Sequence, residues 1–413
     1  MYDFANQPYT TLVITFIYST FFAKVIASNE ILGTALWSRA ITITALTVAF
    51  LSPLMGAIAD RGGYRKTFLM FWTSVSIVGT VALYYPLPGE VYKALFWVVI
   101  SNIGFEMGSV FCNAYLPDVA PKGKIGRVSG YGWSAGYLGG LLTLLIGLMF
   151  FVRPEYPIFG LSKELGQNIR ATNLMVALWF FVFSIPVFLG LKGSSRKNSE
   201  SLSVIFKDSF YQIYNTFKNI KAYKQLVRFL IARLLYNDAL VTIFAFGGIY
   251  AAGTFGFSFE DIFLFGIVLN ITAGLGAFSL GFLDDIIGGK NTIQISNVGL
   301  IAACLIAVFT TNITMFWISG VLIGIFSGPN QAASRSLMAR FTPDSKTNEF
   351  FGFFAFTGKA TAFAGPLALG IVTQMFNSQR VGVFVVVVLF VLGFLFMSFV
   401  DEELGIDQKS SLK

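Results

Sequence analysis

The chain has 413 residues, 55% of them hydrophobic and only 12% charged, with a formal net charge of +8. A soluble domain of this size carries roughly a quarter charged residues, so most of the surface is expected to face lipid, and no segment reads as a soluble enzyme domain. Histidine is absent and the two cysteines, Cys112 and Cys304, lie inside apolar runs, which argues against a disulfide framework, a metal centre or histidine-borne protons.

The first apolar run, 9–28, follows no basic segment and shows no clear cleavage site, so it reads as a retained helix and not a signal peptide. Further runs follow at 36–59, 67–85, 92–115, 128–152 and 172–191. Each is close to the ~20 residues that cross ~30 Å of hydrocarbon. Next comes the one long polar connector, 192–225, with Lys192, Arg196, Lys197, Lys207, Lys218, Lys221 and Lys224. Within it Val204, Ile205, Phe206, Phe210, Ile213, Tyr214 and Phe217 recur at helical spacing, which predicts an amphipathic helix lying on the inner leaflet. A second set of runs occupies 226–251, 261–282, 292–310, 314–337, 350–376 and 381–400. The expected organisation is therefore a six-helix bundle at 1–191, a cytoplasmic linker at 192–225, a second six-helix bundle at 226–400 and a cytoplasmic tail at 401–413.

Lys and Arg concentrate in alternate loops. One set carries Arg61, Arg65, Lys66, Lys122, Lys124, Arg127, the linker lysines, Lys290, Arg340 and Lys346; the other carries Arg39, Lys93, Arg153, Lys163, Arg170 and Arg380. The richer set is expected to be cytoplasmic, with both termini inside. The basic excess is thus read as topology, and no nucleic-acid partner is expected.

The chain repeats itself. Gly56, Asp60 and Gly63, followed by Arg65 and Lys66, recur as Gly281, Asp285 and Gly288, followed by Lys290, at the same place in each half. Pro121, Gly130 and Gly136 are matched at one constant offset by Pro343, Gly352 and Gly358. Several echoes in order argue for a duplicated six-helix unit.

The segment 56–66 resembles the Gly-x-x-x-Asp-Arg-x-Gly-Arg-Arg loop signature of the major facilitator superfamily, with Tyr64 in place of the first basic residue. More narrowly, Tyr2-Asp3-Phe4-Ala5-Asn6, Asn113-Ala114-Tyr115-Leu116-Pro117, Ser129-Gly130-Tyr131-Gly132-Trp133, Gly136-Tyr137-Leu138-Gly139-Gly140, Gln331 to Ser336 and Gly358-Lys359 resemble the vacuolar-effluxer-like branch. The resemblance implies an all-α integral membrane fold of twelve transmembrane helices in two six-helix bundles. It also implies that Asp60 latches the N-terminus of span eleven near Glu349 and Asp285 that of span five near Arg127, in the outward-facing state. An aspartate suits such a place physically, because free N–H groups and the helix dipole both favour an anion. Arg61, Gly63, Arg65 and Arg335 complete the expected gating set; the competing reading is a plain polar turn.

Gly136, Gly140, Gly358 and Gly365 fall in spans five and eleven, where small residues allow close helix packing in lipid. Gly328-Pro329 and Gly365-Pro366 are expected to loosen spans ten and eleven, which would set Asn330 and Gln331 beside a broken helix. Charges inside spans cost several kcal/mol unless paired or wetted. Four qualify: Lys24, Glu106, Asp238 and Lys359. Glu106 or Asp238 would carry a proton or a substrate amine, and Lys24 a carboxylate. The competing readings are a structural pair such as Lys24 with Asp238, and snorkelling of Lys359. Arg228 and Arg233, at the start of span seven, read as interfacial anchors.

The expected function is secondary active transport of a small polar solute by alternating access, with an amino-acid or peptide-like substrate and proton-coupled efflux as the finer expectation. The alternatives are an uptake symporter of another metabolite and a non-transporting membrane receptor. No enzymatic activity, metal or cofactor is expected. The chain is expected to act as a monomer in a bacterial inner membrane, with the bilayer, a small molecule and protons as partners.

Overall fold

A computed structural model describes residues 1–193 and 202–411. Arg196 and Lys197 of the connector lie outside the described residues. The spanning helices are α1 (Tyr2–Ile26), α2 (Glu30–Gly62), α3 (Arg65–Ala82), α4 (Val91–Asn113), α5 (Ile125–Val152) and α6 (Gln167–Gly190) in the first half. The second half has α7 (Lys224–Phe255), α8 (Phe259–Ile287), α9 (Gly289–Phe309), α10 (Ile313–Phe341), α11 and α12 (Gln379–Ser398). Helix α11 is in two pieces, Thr347–Lys359 and Ala364–Phe376. A linker helix, Leu202–Lys218, joins the halves, and a tail helix, Glu402–Ser411, follows α12.

Eleven of these segments are long and apolar enough to cross a membrane by length and composition. The twelfth, α3, is shorter and diluted by Thr73, Ser74, Ser76 and Thr80; it still packs against α4 and α6 as a full member of the bundle. Its threonine hydroxyls do not stay orphaned: Thr73 and Thr80 bond back to the carbonyls of Leu69 and Ser76. Gly63, at φ +69°, ends α2 in the left-handed region and turns the chain into α3. That is the conformation for which glycine has no steric penalty.

The halves meet along α2 against the first piece of α11, and α5 against α8. Both crossings need a glycine. A Cβ on Gly56 would lie 2.2 Å from the Asn348 carbonyl oxygen, and one on Gly130 would lie 2.4 Å from that of Ala277. Such crossings bring backbone against backbone, where packing replaces the hydrophobic drive that water would supply. The start of α1 and the tail helix both reach this end of the bundle: Asp3 meets Arg335 and Glu402 meets Arg340.

One expectation is overturned here. Helix α10 runs unbroken through Gly328-Pro329 from Ile313 to Phe341. The carbonyl that Pro329 leaves unbonded, that of Ile325, is closed over by the backbone of α8 at Gly276, where a Cβ would sit 2.1 Å from the oxygen. Packing by a neighbouring helix thus absorbs the proline that the sequence alone suggests as a break. The real interruption is in α11, at 360–363, just before Gly365-Pro366.

Candidate functional site

Two polar junctions tie the halves together at the end that carries Asp3 and the tail helix. In the first, the Asp60 carboxylate at the end of α2 accepts from the backbone N–H of Asn348 (3.0 Å) and Glu349 (2.8 Å), and from the Asn348 side-chain amide (2.6 Å). In the second, Asp285 at the end of α8 accepts from the N–H of Gly126 (2.7 Å) and Arg127 (3.2 Å) and from the Arg127 guanidinium (2.7 Å). Each aspartate therefore caps the first turn of a helix in the other half, satisfying N–H groups that have no intrahelical partner. Of the neighbouring basic residues, Arg65 pairs with Asp118 and lies 5.0 Å over the Tyr115 ring, whereas Arg61 reaches Asp208 of the linker helix at 2.5 Å.

Deeper in the bundle lies a third inter-half contact. Arg335 is about 9 Å along α10 from Phe341, at 1.5 Å per residue. Its side chain is buried, and each of its nitrogens donates: Nε to the Ser129 hydroxyl, Nη2 to the Ser129 carbonyl, and Nη1 to Asp3 (2.9 Å) and Asn113 (3.1 Å). The Trp133 ring lies 5.8 Å from the guanidinium carbon. Gly136 and Gly140 let α1 settle on α5 beside this cluster, the first against the Asp3 carbonyl and the second against the Thr11 hydroxyl. Asp3 was not among the sequence candidates; its place in the opening Tyr-Asp-Phe-Ala-Asn run was the available signal.

The spanning charges sort differently from expectation. Lys359 does not snorkel: its Nζ lies 2.6 Å from Glu106 Oε1, joining α11 to α4 across the two halves. The contact sits at the break in α11, about 18 Å from that helix's first residue. Asp238 does not pair with Lys24. One carboxylate oxygen accepts the N–H of Gly365 at 2.8 Å, the other makes no hydrogen bond among the described residues, and the side chain is buried. Lys24 instead occupies the last turn of α1, mostly exposed, 3.9 Å from Glu30. Spacing placed it inside a span, but α1 ends two residues later.

Sequence reasoning missed how α7 holds the α11 break. Asn237 donates to the Gly358 carbonyl (3.3 Å) while its neighbour Asp238 accepts from the Gly365 N–H. A donor thus meets a carbonyl at the end of one helical piece and an acceptor meets an N–H at the start of the next, so one exposed backbone group on each side of the break finds a partner. Arg233, one turn earlier, donates to the Phe354 carbonyl and lies 3.5 Å over its ring; it is a packed contact between α7 and α11 and not an interfacial anchor. Gly358 and Gly365 leave room for the Arg233 guanidinium and the Thr242 hydroxyl, respectively. Arg228 remains peripheral, bonded to the Phe399 carbonyl. Among the polar α10 residues, Gln331 donates to the Tyr137 hydroxyl across the halves (3.3 Å), and Asn330 is fully buried against Asn297 within its own half.

A family model for vacuole effluxer Atg22-like proteins matches residues 1–410. The chain belongs to that family. Among its relatives, an uncharacterized MFS-type transporter of Bacillus subtilis, YxiO, is 29% identical over 411 residues, covering 98% of this chain and 95% of that one. Autophagy-related protein 22 of Yarrowia lipolytica is 22% identical over 440 residues, covering 85% and 73%. Among solved structures, the transporter FucP in the outward conformation superposes with a TM-score of 0.74 at 14% identity, over 97% of this chain and 96% of that one. The proton:xylose symporter XylE gives 0.72 at 15% identity, over 100% and 96%. This family member accordingly has the twelve-helix major facilitator fold and is a multi-pass membrane transporter.

Proposed function

We propose that the protein moves a small zwitterion, an amino acid or a peptide-like solute, by alternating access, with protons as the coupling ion. The observation that carries this reading is the Glu106–Lys359 pair, which joins the halves at the break in α11. A carboxylate and an ammonium at this depth are tolerated only when paired or wetted. A zwitterion offers the complementary pair, its ammonium to Glu106 and its carboxylate to Lys359. Binding would replace one internal ion pair with two solute contacts as the halves part, so the charges are compensated whether or not they touch each other. Rocking about such a midplane site is the motion this fold supports.

Asp238 supports the proton part. It is a buried carboxylate with one oxygen unpartnered, placed against the first turn of the second α11 piece. Adding a proton there would weaken its hold on the Gly365 N–H and loosen the segment that follows Lys359. The basic loops at the joined end support a cytoplasmic location for that end and for both termini, so the two junctions and the Arg335 cluster would be the cytoplasmic gate. The family's name supports export as the direction, and the Bacillus relative supports a bacterial cytoplasmic membrane.

The test is flux of amino acids and short peptides into proteoliposomes under an imposed pH gradient. Glu106→Gln and Lys359→Met are expected to abolish saturable flux, and Asp238→Asn to leave exchange of solute while removing its response to the gradient. Undiminished, gradient-driven flux in Glu106→Gln and Asp238→Asn would end the assignment. Solute entry coupled to another ion would replace the proton.

A further inference from the structure

We infer that the linker helix is a binding surface for anionic lipid headgroups, and that it couples the charge of the inner leaflet to the first junction. The two faces of Leu202–Lys218 are chemically different. On the face turned to the bundle, Gln212 Nε2 and Thr216 Oγ1 each donate to the Glu349 carboxylate at 2.6 Å, and Asp208 pairs with Arg61. Glu349 is completely buried, and its own N–H donates to Asp60. A single residue therefore separates the linker helix from the aspartate that joins α2 to α11. Lys346, just before α11, adds a bond to the same Thr216 hydroxyl at 3.0 Å.

The outward face has no such partners among the described residues. Phe206, Phe210 and Tyr214 form one stripe at four-residue spacing, with 50%, 51% and 60% of their surface exposed, and Tyr211 is 65% exposed beside them. Lys207, Lys218, Lys221 and Lys224 are exposed around them. The chain leaves this helix through one short turn, Ile220–Tyr223, and enters α7 at Lys224. The helix is thus held at the level where the spans leave the bilayer. Aromatic rings seated among headgroups, with lysines reaching the phosphates, fit that position, that sign of charge and that mixture of side chains.

The consequence is directional, given a cytoplasmic placement of this end. Both faces of the helix are satisfied together only when Glu349 is in place beside Asp60, that is, when the first junction is closed. Anionic lipid therefore stabilises the closed junction.

The experiment uses the full chain, spin-labelled at Lys122→Cys and Ser345→Cys with Cys112→Ala and Cys304→Ala, in nanodiscs of phosphatidylcholine alone or phosphatidylcholine mixed with phosphatidylglycerol. Pulsed EPR reads the ratio of short to long inter-half distances without requiring a known solute, so its outcome is independent of the substrate assignment. The mixed bilayer is expected to raise the ratio by about fivefold, the lower range of ordinary two-site coupling, and high salt to erase the gain. Replacing the four lysines by Gln is expected to remove the response, as is Gln212→Leu with Thr216→Val, which leaves the lysines intact. Equal ratios in the two bilayers overturn the inference, as does a lipid response that survives either set of substitutions. If the lysine variant fails to fold, the salt series on the labelled chain with its lysines intact decides the matter.

Discussion

The two junctions have the same backbone geometry and opposite electrostatics. Asp60 and Asp285 both accept two main-chain N–H groups from the first turn of a helix in the other half. Around Asp285 the carboxylates are met by guanidinium groups: Arg127 lies 2.7 Å away, Arg340 lies 3.6 Å away, and Arg340 also holds Asp284 and the tail residue Glu402. Glu402 in turn accepts from the N–H groups of Gly289 and Lys290 at the start of α9. Around Asp60 the donors are neutral, and the capped helix brings a second buried carboxylate, Glu349, which the linker helix satisfies with an amide and a hydroxyl. Duplication has kept the cap and let its surroundings diverge. The second junction is an ion-pair network braced by the tail helix. The first is a desolvated acid cluster braced by the linker helix, and we propose that it is the easier of the two to open.

That contrast can be broken or sharpened by substitution, read as thermal stability and as inter-half distance. The largest effect is expected for Asp285→Ala, which strips the partner from Arg127 and should cost about 3–5 kcal/mol of closed-state stability, as breaking a partly buried ion pair does. Gly352→Val comes next: its added carbons meet the Ser52 carbonyl, 2.4 Å from an ideal Cβ, and should push α2 from α11 at a cost of about 1–3 kcal/mol. Asp60→Ala removes neutral-donor bonds only and should cost about 1–2 kcal/mol, so a loss equal to that of Asp285→Ala would erase the proposed difference. Thr216→Val leaves one Glu349 oxygen without its hydroxyl, about 1 kcal/mol, and should loosen the first junction with no change at the second. Lys24→Gln, outside both junctions and largely exposed, should change stability by less than about 0.5 kcal/mol.

Much of this architecture is legible in the amino-acid sequence. Hydropathy and the internal repeat point to twelve spans, because each span must satisfy its backbone internally and show its apolar length. The repeat also identifies Asp60 and Asp285, and the family resemblance implies the helix starts they meet, where free N–H groups and the helix dipole suit a carboxylate. Azimuth and partner are not legible in the same way. Lys24, Asp238, Glu106 and Lys359 all read as spanning charges, yet only Glu106 and Lys359 face each other, since that depends on how two helices in different halves are rotated. The Asn237–Asp238 hold on α11 is hidden for the same reason. Pro329 misleads because the consequence of a proline depends on what packs beside it, here Gly276, and not on the helix that contains it.

The claim on which the account rests is that two unequal junctions keep this end of the protein shut. Pulsed EPR between labels at Lys122→Cys and Ser345→Cys, with and without Asp60→Asn and Asp285→Asn, tests it directly. A mainly short distance in the parent, a modest growth of the longer population in Asp60→Asn and a dominant longer population in Asp285→Asn are predicted. A distance distribution unchanged by both substitutions would contradict the account.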